Sequence, residues 1–529
     1  MTYPEALAYI SRLGRFGMKL GTERTRAILD RLGQPDHGLP GALIAGTNGK
    51  GSTAACLASI LESAGHRVGF MPKPHLISYT ERIEVNRKPI TEQEFVQTLD
   101  GLIPTLEEIA SEMGQATEFE MLTAMALAYL APRVDRLVCE VGLGGRLDAT
   151  NALDLGVAVI TNVDLDHQKY LGDTIEEIAN EKAAIIKPGN RVITGCEGQA
   201  LEIVRAHARK AGASLWRLGH EVRVESMSRG WDGHLVSVTG PGFAHKNLNV
   251  PLVGDYQPDN AALAVATAHA LDDIDDGAVR LGLAQTTWPG RLQVIATSPR
   301  VVLDGGHNPA AMTKSGVSLR RLIGSERLVT VFAMLSERDP VQLLAALRTL
   351  RPDAAVFTEP ASAGGHAIPA RDLAAMFGGD AEAILPAAAA LDRARMLAVI
   401  YIVLWLVMPE RIEGGGERSG FNAMTADIRR VWGELLVQLR GGSRVAPVTP
   451  GGSPTSSGPP QSAPESSGPL AQPQPAWHNQ SVTFGLILVV IGLAILGGNI
   501  GIINWSVVWP AALITLGIVI LVRNLERRP

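Results

Sequence analysis

A chain of 529 residues with a formal net charge of −5 and a pI near 6.2 is too long for one hydrophobic core, and it carries no broad basic surface. That balance argues against nucleic acid as a partner. Three cysteines, Cys56, Cys139 and Cys196, are odd in number and widely spaced, which excludes a disulfide or zinc framework and fits a reducing compartment.

The opening stretch MTYPEALAYISRLGRFGMKLG lacks the charged-then-apolar order of a secretory signal, so the first domain is expected in the cytoplasm. Residues 1–395 alternate short β-branched runs with amphipathic stretches, the pattern of a parallel α/β sheet. ALIAG (42–46) reads as a strand and STAACLASILESAG (52–65) as a helix closed by Gly65. RLVCEVGLGG (136–145), GVAVITNVD (156–164), PRVVLDGGHN (299–308) and LVTVFAML (328–335) read as strands running into polar turns. WPGRL at 288–292 is a plausible hinge, which places one domain at 1–292 and a smaller one at 293–396.

The character then changes. In LDRARMLAVIYIVLWLVMPE (391–410) the apolar core from Leu397 to Met408 would rise only about 18 Å as a helix, short of a roughly 30 Å hydrocarbon layer. Part of 397–406 either fills a strand position in the second domain or lies as an apolar remnant on a surface, and periodicity does not separate the two. TADIRRVWGELLVQLRGG (425–442) is an amphipathic helix candidate within the segment 397–443. The segment 444–478 is read as a disordered linker, because residues 445–476 hold nine prolines and a single charge, Glu465. Residues 479–529 carry two apolar runs between Val482 and Val522, broken by GGNIGIINW, which predict a transmembrane hairpin with a basic end. No internal repeat is present.

One loop carries chemistry on its own terms. GTNGKGS, Gly46 to Ser52, stands between a predicted strand and a predicted helix. Its glycines let backbone wrap phosphate, the helix terminus offers amides, and Lys50 adds a point charge. The strict GxxxxGK[ST] pattern is not met, since Ile44 stands where the first glycine belongs and Gly51 follows the lysine. Glu140 and His167 fall near the ends of two predicted strands, where open α/β sheets bind ligands.

With PHLISYTERIEV, TEFEMLTAMALAYL, CEVGLGGRLDATN, TNVDLDHQKYLGDTIEEIANEKAAIIKPG, PLVGDYQPDNAALA, WPGRLQVI and VVLDGGHNP in that order, the chain closely resembles the bacterial folylpolyglutamate synthase/dihydrofolate synthase family of the Mur ligase superfamily, over residues 1 to about 395. The resemblance implies a P-loop ATPase domain followed by a Rossmann-like domain. It implies an ATP-dependent ligase that phosphorylates the carboxylate of dihydropteroate or a folate and joins it to L-glutamate through an acyl phosphate. Gly46, Thr47, Asn48, Gly49, Lys50, Gly51 and Ser52 would then hold ATP, with Asn260, Arg291 and Asp304. Ser52, Glu140 and His167 would hold magnesium, with Asp164 and Asp166 close behind. Lys182 matches a lysine carbamylated in the family, and His307 a residue of the nucleotide and glutamate site; these two join Lys50 as catalytic candidates. Leu20, Gly21, Thr22, Thr117, Glu118, Phe119, Glu120, Leu147, Asp148 and Ala149 match pterin-contacting segments of bifunctional members.

Two departures stand out. MPKPHL puts Lys73 where the family's TSPHL loop offers a serine to magnesium, and a lysine ammonium cannot coordinate a metal. The family's closing strand and GS(L/F) turn are missing, and the tail instead resembles phage-shock-protein-C-like and LiaF-type membrane segments. The expected molecule is therefore a monomeric cytoplasmic ligase unit anchored to the cell membrane by its tail. The alternatives are a cell-wall amino-acid ligase, against which GGRLDATN and GKGS speak, and a membrane-anchored envelope-stress or interaction protein with a degenerate ligase domain.

Overall fold

Gly41–Ala45 is buried at every position, as a strand covered on both faces must be, and it sits inside the first sheet of the molecule. The computed structural model describes residues 1–14, 21–336, 338–360, 363, 365–397 and 400–405. Leu20, the amphipathic stretch 425–442, the linker 444–478 and the hairpin 479–529 lie outside these residues. Among the described residues no helix is long and apolar enough to cross a membrane.

In chain order the first sheet takes β1 (Gly41–Ala45), β2 (Val68–Met71), β3 (Glu84–Val85), β4 (Lys88–Pro89), β5 (Arg136–Glu140), β6 (Gly156–Ile160), β7 (Arg191–Thr194) and β8 (Ser214–Arg217). Their spatial order is β4-β3-β2-β5-β1-β6-β7-β8, and all pairings are parallel except the short β2-β3-β4 edge. The predicted strands begin within a residue of expectation but end sooner. β5 stops at Glu140 and β6 at Ile160, and the polar residues beyond them form the loops at the carboxyl edge. Two apolar layers pack on opposite faces, one built around Leu43, Met125 and Ile160, the other around Ile44, Leu57 and Val265. Three antiparallel strands, β9 (Arg223–Ser228), β10 (His234–Gly240) and β11 (Phe243–Val250), add a small sheet that the sequence pass does not anticipate.

The second domain is a sheet of β12 (Gln293–Thr297), β13 (Arg300–Asp304), β14 (Leu328–Ala333), β15 (Ala354–Phe357), β16 (Glu382–Ala383) and β17 (Ile400–Trp405), in the order β12-β13-β17-β14-β15-β16. The unusual stretch at 391–410 thus divides. Leu391–Leu397 ends the helix Ala387–Leu397, whose Ala390 and Ala394 are fully buried among Val329, Val331 and Val356. Ile400–Trp405 then runs parallel between two strands, Ile402 opposite Val302 on one side and Thr330 on the other. A domain end at 396 is therefore too early, because the sheet needs residues up to Trp405. The missing terminal strand, which favoured a degenerate second domain, is replaced by these residues.

Candidate active site

The carboxyl edges of both parallel sheets meet at one cleft, where an α/β architecture places ligands. After β1 the chain turns through Gly46–Gly49 into the helix Lys50–Ser63. Two glycines there are obligatory. Gly49 has φ 85°, and a Cβ on it would collide with the Asn260 side chain; a Cβ on Gly51 would come within 2.7 Å of the Trp288 ring. Left-handed Gly49 starts the helix at Lys50, two residues earlier than the apolar periodicity indicates. Trp288 in turn leans on Phe70, while Gly290 accepts the Gly305 N–H at 2.7 Å, so the hinge is fastened to both domains.

Lys50 Nζ folds back on the loop it begins, donating to the carbonyls of Gly46 at 2.9 Å and Thr47 at 3.1 Å. Lys182, buried on the helix Ile175–Ala183, donates to the same Gly46 carbonyl at 3.1 Å. Burial, reinforced by the charge of Lys50, brings the Lys182 amine down to about 7. Glu140 ends β5 and is buried, its Oε2 accepting the Lys73 N–H at 3.0 Å. Burial pushes its carboxyl up against the opposing charges of Lys50 and Arg291. Ser52 is buried in the first turn of the Lys50–Ser63 helix.

From β6 the loop continues to Asp166 and to His167, which holds a left-handed φ of 51°. The second domain closes on this point. Asn308 donates to Asp166 at 2.8 Å and to Asn48 of the phosphate loop at 3.0 Å, while also capping the helix Pro309–Ile323. Arg338 donates to Asp166 at 3.0 Å from the turn after β14. Burial alone would raise the Asp166 carboxyl, but His167, His307, Arg338 and the Asn308 hydrogen bond hold it below the usual range. Asp166, His167 and His307 bring one ligand atom each within 4.8 Å of the others, a cluster that could hold a metal ion. His307 places Nδ1 3.1 Å from the Gly305 carbonyl, and burial beside Arg338 pushes it down to about 3. Asp304, buried at the end of β13, accepts the N–H groups of Leu292 and Gly306 at 3.0 and 2.9 Å, and burial raises its carboxyl. Arg291 lies against Gly305, and Asn260 against Gly49.

The pterin-side residues form a second group. Gly21 donates to the Leu147 carbonyl at 3.1 Å, joining two of the expected segments. Thr117 and Glu120 make a reciprocal capping box at the start of the helix Glu118–Leu130, and Glu120 also takes Arg24 at 3.0 Å. Asp148 spends its oxygens on the N–H groups of Gly142, Leu143 and Thr150, and Ala149 opens the short turn Ala149–Ala152. These are shaping roles. Glu118 and Phe119 face outward from that scaffold, Glu118 accepting the Tyr79 hydroxyl at 2.9 Å and Phe119 lying beneath the Lys73 ammonium. Asn308 and Arg338 are not singled out in the sequence, and Trp288 only as part of the WPGRL hinge. Asn308 and Arg338 follow parallel strands, the one signal that could have found them.

Residues 44–268 match the Mur ligase middle domain and 290–404 the Mur ligase, glutamate ligase domain. The chain is 35% identical over 357 residues to the dihydrofolate synthase/folylpolyglutamate synthase of Bacillus subtilis, covering 66% of this chain and 83% of that one. The corresponding Escherichia coli enzyme is 36% identical over 354 residues, 66% and 79% of the two chains. Among solved structures, Mycobacterium tuberculosis folylpolyglutamate synthase complexed with ADP and AMPPCP superposes with a TM-score of 0.73 at 31% identity, over 82% of this chain and 98% of that one. E. coli FolC in complex with DHPP and ADP gives 0.72 at 29%, over 82% and 99%. A glycine loop with a lysine at a helix start, a buried strand-end carboxylate and two domains meeting over them make the same case as these relatives: the chain belongs to the dihydrofolate synthase/folylpolyglutamate synthase family of Mur ligases.

Proposed function

We propose that the cleft joins L-glutamate to dihydropteroate, to a reduced folate, or to both, at the expense of ATP. The observation that carries this reading is the convergence of Lys50, Glu140 and Lys182 from one domain with Arg291 of the hinge and Asp304 and His307 of the other domain. The acid's carboxylate oxygen attacks the γ-phosphorus, an O–P bond forms, and ADP leaves. The glutamate nitrogen then attacks the acyl carbon, the C–O bond to phosphate breaks, and the amine gives up a proton. Lys50 and the Lys50–Ser63 helix terminus face the charge that grows on the phosphates. His307, pushed down to about 3 by burial and Arg338, is held neutral with Nδ1 donating to the Gly305 carbonyl, so it lines the cleft without adding a charge.

The donors present suit magnesium. Glu140 is a buried carboxylate whose pKa burial raises, Ser52 stands in the first turn of the Lys50–Ser63 helix, and His167 follows β6. Magnesium held there would neutralise charge on the β- and γ-phosphates. Lys182, with its amine near 7, suits carbamylation, in which the free amine adds CO2 and releases a proton. The residues Gly21, Thr22, Phe119 and Leu147 mark the pterin side. We further read 479–529 as a hairpin that keeps a cytoplasmic enzyme at the cell membrane, supported by the length of its two apolar runs and by Arg523, Arg527 and Arg528 after the second.

The test is ADP release by purified protein with dihydropteroate and then tetrahydrofolate, each with and without glutamate. Release that requires glutamate and either pterin is expected. Release indifferent to both would remove the ligase reading. Sedimentation of the full chain with membranes, and not of a chain ending at 443, tests the anchor.

A further inference from the structure

Asn308 does more than its place at the head of a helix requires. As the cap of the helix Pro309–Ile323 it needs only Oδ1, which accepts the Ala311 N–H at 2.8 Å. That bond also fixes which end of the amide is nitrogen. Nδ2 then spends both hydrogens on the other domain, one on Asn48 Oδ1 at 3.0 Å and one on Asp166 Oδ2 at 2.8 Å. Asn308 is buried, so these donors have no water to turn to when either partner is lost.

Two loops of the first domain are bridged in this way, the phosphate loop through Asn48 and the loop after β6 through Asp166. The main chain of Asn48 is fixed within its own domain, its N–H on Asn162 Oδ1 at 3.0 Å and its carbonyl accepting Asn162 Nδ2 at 2.9 Å. Its side chain has no hydrogen-bond partner but Asn308 among the described residues. The loop backbone can therefore cradle phosphate wherever the second domain stands, whereas Asn48 and Asp166 are joined side chain to side chain only with Asn308 in position. We infer that Asn308 is a positioning residue that couples the placement of the second domain to the phosphate loop, so that phosphoryl transfer needs it and nucleotide capture does not. The inference rests on the reading of the cleft as a ligase site. An interaction completed only once the second domain is in place stabilises the transition state and leaves the first binding of nucleotide alone. Arg338 takes the other oxygen of Asp166, so the second domain keeps one hold when the amide is removed.

Asn308→Ser and Asn308→Asp both keep a capping oxygen for Ala311 and lose the two donors. In the full-length protein, Asn308→Ser is expected to leave the melting temperature and the affinity for AMPPCP as they are in the natural chain. It should lower kcat for pterin- and glutamate-dependent ADP release roughly ten- to a hundredfold. Asn308→Asp, which sets a carboxylate against Asp166, should lower it further. Asn48→Ala leaves the helix cap untouched, carries the test if the serine chain melts early, and should show the same split between kcat and affinity. The double variant should cost less than the two single losses combined. A kcat of natural size in Asn308→Ser, a loss of AMPPCP affinity that matches the loss of kcat, or strict additivity overturns the inference and leaves the ligase reading standing. ADP release by the natural chain that ignores pterin and glutamate overturns both.

Discussion

Both sheets that flank the cleft are largely parallel and covered by helices, yet they are completed at very different points of the chain. The first has its inner strands β1, β5 and β6 in hand by Ile160, and Lys50, Glu140 and Asp166 stand at or just past their ends. The second places β17, the last described strand, between β13 and β14, so its middle is open until residues 400–405 arrive. One domain can therefore be damaged at its chemistry without losing its fold, and the other loses its fold to a change far from any reacting group. The contrast also bears on contacts. The first domain supplies Asp166, and the second reaches it through Asn308 and Arg338, residues whose positions depend on a sheet closed from the far end.

The largest effect expected is on the second sheet. Ile402→Pro removes an N–H from a strand paired on both sides, at a cost of about 3 kcal/mol or more. Ligation should vanish, and calorimetry should show the second domain melting earlier while the first is little changed. Normal activity in that variant would take β17 out of the sheet. Next in size, Lys50→Ala should leave both melting transitions in place but lower kcat by roughly 10² to 10³, the range found when one donor to developing charge is lost. Turnover near the natural value would mean that the loop does not face phosphate.

A smaller loss is expected where the domains touch. Arg338→Ala deprives a buried carboxylate of a charged donor, worth on the order of 1.5–3 kcal/mol. kcat/KM for ATP should fall accordingly and recover in part with Arg338→Lys. If Asp166→Asn and Arg338→Ala prove strictly additive, the two residues act separately. The smallest effect concerns pH. A lysine titrating near 7 when folded and near 10.5 when unfolded binds fewer protons in the folded state between those values, so stability rises with pH across that window. In CO2-free buffer the natural chain should gain about 1 kcal/mol between pH 7 and pH 8, and Lys182→Met should not. Bicarbonate should stabilise the natural chain alone if Lys182 is carbamylated; an identical response in Lys182→Met would dismiss that modification.

Much of the first domain was legible because its signals are local. GTNGKGS and the apolar strands before each polar turn can each be read within a few residues. The strand at 400–405 was only half legible. Its β-branched composition fits a buried strand, but a six-residue apolar run has no periodicity to distinguish it from a remnant, and what fixes it is register with residues about 70 and 100 positions earlier. Arg338 was invisible for the same reason, since its partner Asp166 lies 172 residues away. The small sheet β9–β11 did leave a trace, the apolar–polar alternation VSVT in HLVSVTG, whose two valines are buried and which a search for parallel strands passes over. Asp148 and Glu120 match pterin-contacting segments, and their oxygens also hold the loops there.

The late arrival of β17 also sets an order of events at the ribosome. At roughly 5–20 residues per second the first domain can settle while its partner is still being made, and the partner must wait with a gap between two apolar strands until residue 405 has cleared the exit tunnel. Everything after that residue is still in synthesis or in the tunnel when the gap can first close. A chain cut short before Trp405 would lack the strand that joins β13 to β14 in the second sheet.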